Sequence, residues 1–284
     1  MFYETQYEII QFLQAFSNPA LDLFFQAINM LGNPVFWFIV AAFFYWKGKE
    51  RTTFHIVNLL LFTSVVVGAI KLFVNAPRPS PSIVERKIDD ISNELSFPSG
   101  HSATAAAIYA HYSNILKNHW KIIAALLVLF VAIARLYLGV HFPIDVVVGL
   151  AVGFAIGKIN LFIERKFEKA HFRLTKLEDD ILIVAAIVVF LAGLYLISSI
   201  TLLALLMGFY AGFFAWQERK VKQKKFHGVS LAVKAIMGYV IFAAIAVVPE
   251  IYPNIGSSIS FILYFIAGIW VSFIYPWLAE KFSF

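Results

Sequence analysis

The stretch Arg135-Leu-Tyr-Leu-Gly-Val-His141-Phe-Pro-Ile-Asp145 lies at the junction of two apolar segments and sets a cation, an imidazole and a carboxylate close together. Pro143, with its fixed φ and missing N–H, suits the first position of a helix, so Asp145 is expected in that helix's first turn with His141 just before it. The carboxylate can then reach back to one ring nitrogen of His141, fix the tautomer and leave the other nitrogen as base or nucleophile. Arg135 would hold an oxyanion beside it. Arg, His and Asp at the end of a membrane helix also serve as interfacial anchors. Two further stretches weigh against that plainer reading. Lys71-Leu-Phe-Val-Asn-Ala-Pro-Arg78-Pro79 ends an earlier apolar segment with two more cations, and Phe97-Pro98-Ser99-Gly100-His101 opens the next one.

Working outward, 61% of the 284 residues are hydrophobic and 14% charged, with a mean hydropathy of +0.79. This is the composition of an integral membrane protein. The chain has no cysteine, which excludes a disulfide framework and a thiolate metal site. The first basic residue is Lys47, so the N-terminus lacks the basic region of a secretory signal peptide. The net charge of +6 sits in short loops between spans, which fits membrane topology and argues against a nucleic-acid partner.

Residues 3–16 and 19–31 carry apolar stripes at helical spacing (Leu21, Phe24, Phe25, Ile28, Leu31) opposite Asp22, Gln26 and Asn29, and read as interfacial helices. Asn18-Pro19 is a fair cap and first turn. Since a crossing needs roughly 20 apolar residues, spans are expected at 34–46, 53–74, 99–115, 120–138, 143–163, 181–198, 199–216, 229–248 and 258–277. The run from Ile181 to Trp216 is too long for one crossing and is divided at Ser198-Ser199. One set of loops collects Lys47, Lys49, Arg51, Lys117, Lys121, the cluster Lys158 to Lys176, Arg219 to Lys225 and Lys281. The opposite set holds Lys71, Arg78, Arg86, Lys87 and Arg135. The positive-inside rule then puts the polar stretches and the N-terminus outside and the C-terminus in the cytoplasm. Lys234, inside a span, can snorkel. The spacings Gly149, Gly153, Gly157 and Gly208, Gly212 favour close helix packing.

With this topology all three polar stretches fall on one face. Pro98-Ser99-Gly100 is a helix start whose free amides and positive dipole end suit a phosphate. Lys71, Arg78 and Arg135 supply positive charge, and there is no carboxylate cluster or Cys/His set for a metal, so the site is suited to neutralising a phosphate without one. His141, oriented by Asp145, would attack phosphorus, and His101 would protonate the leaving oxygen. The cations and the Ser99 and Gly100 amides would meet the developing charge. His55, His111, His119, His171 and His227 lie toward the other side and read as structural or interfacial.

Lys71-x6-Arg78-Pro79, Pro98-Ser99-Gly100-His101 and Arg135-x5-His141-x3-Asp145 resemble the three signature motifs of the type 2 phosphatidic acid phosphatase superfamily. The resemblance implies an all-α polytopic membrane bundle, a six-helix phosphatase core with about three extra C-terminal spans. It further implies metal-independent hydrolysis, with no cofactor, through a phosphohistidine on His141. His101 would be the acid, with Lys71, Arg78, Arg135, Ser99 and Gly100 around the phosphate. The third motif usually has Ser before its Arg, and here that position is Ala134, so one phosphate donor is missing. The resemblance covers roughly residues 18–198, and the chain divides as interfacial helices 1–32, a core 33–198 and additional spans 199–284. The expected substrate is a lipid phosphate or diphosphate, a polyprenyl diphosphate above phosphatidate or phosphatidylglycerophosphate, with its chain left in the surrounding membrane lipids. A sugar-phosphate phosphatase of the glucose-6-phosphatase type and a non-enzymatic phospholipid transporter are the competing readings. Whether the chain forms a homo-oligomer is left open by the sequence.

Overall fold

Pro143 and Asp145 do open a helix, and the rest of the fold can be built from it. The computed structural model describes residues 2–88, 95–169, 199–218 and 228–282. It is a helical membrane protein whose helices include α1 (Phe2–Gln14), α2 (Pro19–Asn29), α3 (Pro34–Trp46), α4 (Glu50–Val74), α5 (Gly100–Tyr112), α6 (Asn118–Tyr137), α7 (Pro143–Lys169), α8 (Ile200–Glu218), α9 (Gly228–Ala246) and α10 (Ser257–Ile269). A π turn, Trp270–Ile274, carries α10 into α11 (Tyr275–Lys281). Among the described residues there is no strand, only an isolated bridge between Pro77 and Leu95.

The helix starts follow local chemistry. The Asn18 side chain accepts from the amides of Ala20 (3.1 Å) and Leu21 (3.0 Å), satisfying first-turn donors of α2 with Pro19 at its first position. Ser199 does the same for α8 through the Leu202 amide at 3.3 Å. The expected span 181–198 lies outside the described residues.

Nine crossings were expected from hydropathy. Five helices among the described residues are long and apolar enough to cross, and a sixth counts if Pro19–Gly32 and Pro34–Trp46 form one broken span; Ile200–Trp216 is a shorter apolar helix. One expected crossing, 181–198, lies outside the residues so counted, and the remaining difference has a physical source. Both α3 and α5 have 13 residues, which at 1.5 Å per residue reach only about 20 Å. In addition, α5 carries Ser102, Thr104 and His111, all buried, in place of lipid-facing apolar residues.

The chain divides into two compact units, Met1–Phe36 with Leu59–Ser198 and Trp37–Asn58 with Ser199–Phe284. The ranges drawn from sequence cut only at 32/33 and 198/199, whereas packing adds α3 and the start of α4 to the C-terminal helices. The reason lies in Tyr45 and Trp46, whose polar tips need buried acceptors. Trp46 Nε1 donates to the Val271 carbonyl (3.0 Å) and Tyr45 Oη to that of Ser272 (3.1 Å). Within this second unit Gly208 and Gly268 let α8 and α10 meet backbone to backbone.

In the first unit α5 lies along α7. A Cβ built on Gly149 would stand 2.5 Å from the Ser99 carbonyl oxygen, and those on Gly153 and Gly157 would strike the carbonyls of Ala103 and Ala107. Lipid supplies no hydrophobic drive between helices, so such backbone approach and its dispersion contacts hold the pair. Gly153→Val should therefore separate α5 from α7 and destabilise the protein by about 1–3 kcal/mol or more. A lowered midpoint of thermal unfolding in detergent is the expected result; an unchanged midpoint would contradict this packing.

Candidate active site

After α4 the chain turns at Asn75, a left-handed residue (φ 50°) whose amide donates to the Lys71 carbonyl at 2.8 Å. The reversal lays residues 76–78 beside 95–96, with the Ser96 amide donating to the Ala76 carbonyl at 2.8 Å. The buried Lys71 ammonium donates to the carbonyls of Leu95 and Ser96, the second at 3.1 Å. An ammonium has three protons, so one remains for a ligand.

The turn between α6 and α7 presents His141. Arg78 Nη1 donates to the Val140 carbonyl (2.8 Å) and lies 3.2 Å from His141 Nε2. A guanidinium can only donate, so Nε2 is the acceptor and carries the lone pair, and the imidazole proton is on Nδ1. On that side stand Asp145 Oδ2 at 3.4 Å and Ser96 Oγ at 3.3 Å. The Ser96 hydroxyl in turn donates to the Asp145 carboxylate. Asp145 Oδ2 also accepts from the Phe142 amide at 2.8 Å, the capping arrangement that places the carboxylate under the ring. His141 and Asp145 are each 2% exposed.

The N-terminus of α5 is tied to the same turn, because the Ser99 amide donates to the Asp145 carbonyl at 2.9 Å. That amide was expected to face a phosphate and is instead committed; the first-turn amides of Gly100 and His101 are the ones whose place in the helix gives them no intrahelical acceptor. Ser99 Oγ accepts from Ser102 Oγ (3.0 Å) and the Ser102 amide (3.4 Å), which leaves its own proton to donate. His101 follows, with Nε2 buried and without a hydrogen-bond partner among the described residues. Gly32 fixes the backbone of His101 from the other side, since a Cβ there would stand 2.8 Å from His101 Cβ. Arg135, 2% exposed, donates from Nη1 to Asn29 Oδ1 at 2.5 Å.

Hydrogen bonds thus join Lys71, Arg78, Ser99, His141 and Asp145 through Ser96 and the α6–α7 turn, and Arg135 and His101 are close enough to act electrostatically on His141. The His141 imidazole is held well below its ordinary range by burial and then by the charges of Arg135, Arg78 and Lys71, with His101 adding to the effect. Two contributors were not foreseen. Ser96 stands in a loop outside the motifs, and only its position two residues before Pro98 hinted at it. Asn29 was assigned to a water-facing side of α2, yet it is buried on Arg135. Ala134 is fully buried in an apolar cluster with Tyr137, Leu138 and Val140, against which Leu21, Phe25 and Ile28 pack.

Comparison with known proteins bears on this arrangement. A family model described as the PAP2 superfamily matches residues 52–169, and one described as the PAP2 superfamily phosphatase transmembrane extension matches residues 200–284. The chain belongs to the PAP2 superfamily. As a PAP2 protein it is 28% identical over 172 residues to a lipid phosphate phosphatase delta of Arabidopsis thaliana, covering 55% of this chain and 41% of that one. It is 39% identical over 92 residues to a decaprenylphosphoryl-5-phosphoribose phosphatase of Mycobacterium tuberculosis, covering 32% and 49%. The chain thus spans less than half the length of these two curated relatives. Among solved structures it is similar to LpxE of Aquifex aeolicus, with 33% identity, 54% of this chain and 93% of that one covered, and a TM-score of 0.45.

The depressed basicity of His141 has a direct check. At pH 6.5, where a free imidazole is about half protonated, His141 should be neutral with its proton on Nδ1. Nitrogen chemical shifts of labelled histidine in micelles would report this, and an imidazolium signature from His141 at neutral pH would contradict the site as described.

Proposed function

We propose that this PAP2 protein is a membrane phosphatase that removes the terminal phosphate of a lipid phosphate or diphosphate. One observation carries the reading above the rest: Arg78 on Nε2 and Asp145 with Ser96 on Nδ1 leave a single tautomer, with the lone pair of His141 on the side where a guanidinium can hold a phosphoryl oxygen. In this reading Nε2 attacks phosphorus and the bond from phosphorus to the leaving oxygen breaks. The buried, unpartnered His101 gives that oxygen its proton. Water then attacks the phosphohistidine, losing its proton to His101 as Nε2 departs, and inorganic phosphate is released.

Lys71, Arg78 and Arg135 would neutralise the equatorial oxygens, together with the Gly100 and His101 amides and the Ser99 hydroxyl. Three converging cations repel a divalent ion, which supports chemistry without a metal. The gathering of polar groups at helix ends supports a substrate whose phosphate sits at the headgroup level while its chain stays in the bilayer. The distribution of Lys and Arg supports placing that end outside, with the N-terminus outside and the C-terminus in the cytoplasm. A polyprenyl diphosphate is the favoured substrate. The mycobacterial relative, named for a decaprenylphosphoryl sugar phosphate, supports a polyprenyl-linked substrate.

Purified protein offered phosphatidate, phosphatidylglycerophosphate, prenyl diphosphates and sugar phosphates should release phosphate from lipid substrates and fastest from a prenyl diphosphate. Preference for the sugar phosphates would overturn the lipid assignment. Release should survive EDTA and be blocked by vanadate, whose adducts mimic the phosphoryl transition state; loss on chelation would point to metal-assisted hydrolysis.

His141→Ala should abolish turnover. Ser96→Ala removes one hydrogen bond to a carboxylate, about 1.5–3 kcal/mol, and should lower kcat by roughly 10- to 100-fold. Undiminished phosphate release from His141→Ala would rule out a phosphohistidine there, and lipid transport intact in His141→Ala but lost in Lys71→Ala would leave a binding or transport role as the better account.

A further inference from the structure

Helix α1 is joined to the two loops that carry Arg78 and His141. Gln14 does most of this. Its Nε2 donates to the Glu85 carbonyl (2.6 Å) and the Tyr137 carbonyl (2.9 Å), and its Oε1 accepts from the Glu85 amide (3.0 Å). One side-chain amide therefore pairs with both backbone groups of Glu85 while holding the end of α6. One turn and two turns earlier, Gln11 Nε2 donates to the Ile83 carbonyl (3.2 Å) and the Tyr7 hydroxyl accepts from the Ser80 amide (3.1 Å), two residues beyond Arg78. Gln6, 6% exposed, accepts from the Ile144 amide at 3.1 Å, next to Asp145. The rings of Tyr3 and Tyr7 meet Phe142, the neighbour of His141, edge on at 5.2 Å each.

The two loops also hold each other. The Lys87 amide donates to the Leu138 carbonyl at 3.1 Å. Gly139, left-handed at φ +70°, is needed there because a Cβ would collide with the Glu85 carbonyl and stand 3.0 Å from Gln14 Nε2. The Lys87 ammonium bridges Glu85 (2.7 Å) and Asp22 (3.3 Å), and Asp22 accepts from the Tyr137 hydroxyl at 2.5 Å. Loop backbone that would otherwise need water is thus bonded to helix side chains.

We propose that α1 is a positioning strap: through Gln6, Tyr7 and Gln14 it fixes the loop after Arg78 against the turn before His141, and so sets the guanidinium opposite the attacking nitrogen. Phosphoryl transfer by positioning is sensitive to displacements of about 1 Å, which can cost on the order of 100-fold in rate. A strap acting on geometry alone should change kcat far more than KM, since Lys71, Arg135 and the α5 amides still bind the phosphate. The kinetic half of this inference rests on the phosphatase reading above.

The test uses the full chain in lipid nanodiscs. Gln14→Leu, which keeps bulk and removes all three hydrogen bonds, should lower kcat per folded molecule by about tenfold or more with KM changed by less than about threefold. The amides of Glu85 and Lys87 should exchange with deuterium faster, while α5 and α7 keep their protection. Tyr7→Phe keeps the ring on Phe142 and removes only the acceptor for Ser80. It serves as the milder variant should Gln14→Leu fold poorly, with about a threefold to tenfold fall in kcat and faster exchange at Ser80. Glu8→Gln, on the exposed side of α1, should behave as wild type. Wild-type kcat in both Gln14→Leu and Tyr7→Phe, or unchanged exchange at Glu85, Lys87 and Ser80, would overturn the proposal. So would a fall in kcat accompanied by an equal loss of protection throughout the protein. If the unmodified protein released no phosphate from any lipid, the phosphatase reading would fail, and the exchange of those three amides would still decide whether α1 straps the loops.

Discussion

Burying the Asp145 carboxylate is the constraint from which the rest of the first unit can be derived. A carboxylate removed from water is tolerated only when its oxygens are bonded. Here the bonds come from separate parts of the chain: the Phe142 amide, the Ser96 hydroxyl and the facing Nδ1 of His141. The main chain of the same residue receives the Ser99 amide. Satisfying one acid therefore draws together the α6–α7 turn, the segment before Pro98 and the start of α5. Lys71 locks the second of these by holding the Leu95 and Ser96 carbonyls. The acid, the tautomer of the imidazole and the cation that anchors Ser96 are parts of one bonded network, and displacing any of them exposes a polar group in a low-dielectric setting.

The parts of this network written in local chemistry were legible in the sequence. Pro143 before Asp145 and Ser99 before Gly100 are helix starts whatever surrounds them, and Asn18-Pro19 is another. What could not be read was which polar face meets water. Hydrophobic periodicity locates a polar face but does not distinguish solvent from a polar loop. Asn29 and Gln14 lie on such faces and are bonded to Arg135 and to Glu85 and Tyr137. Ser96 escaped for a related reason: a serine in a loop has no periodicity, and its role depends on residues 45 and 49 positions away. Among the described residues the expected crossing at 99–115 is the one that apolar composition misjudges, because α5, at 13 residues, is wrapped by protein and has little lipid to face.

The membrane shapes the site through the glycines as well. Gly149 lies one turn beyond Asp145 on α7, and its missing side chain lets the Ser99 carbonyl come close. The first turn of α5, with Gly100 and His101, is thereby set against the first turn of α7. A larger residue would push those amides away from His141. The same device at Gly153 and Gly157 continues the contact down the helix pair, so the packing that holds the bundle together also sets the distance across the site.

The cations are held in a way that bears on what they can bind. Lys71 is placed by the carbonyls of Leu95 and Ser96, Arg78 by the carbonyl of Val140, and Arg135 by the side-chain amide of Asn29. Each of these acceptors is a neutral oxygen, which orients the cation without itself cancelling charge. The consequence falls on His141, where burial first and then the charges of Arg135, Arg78 and Lys71 lower the basicity of the ring. The same charges that add to this effect attract an anion to the ring. On the phosphatase reading proposed above, one arrangement of charges would prepare the attacking nitrogen and the place of its target together while the guanidinium of Arg78 stays opposite Nε2, on a loop bonded to α1.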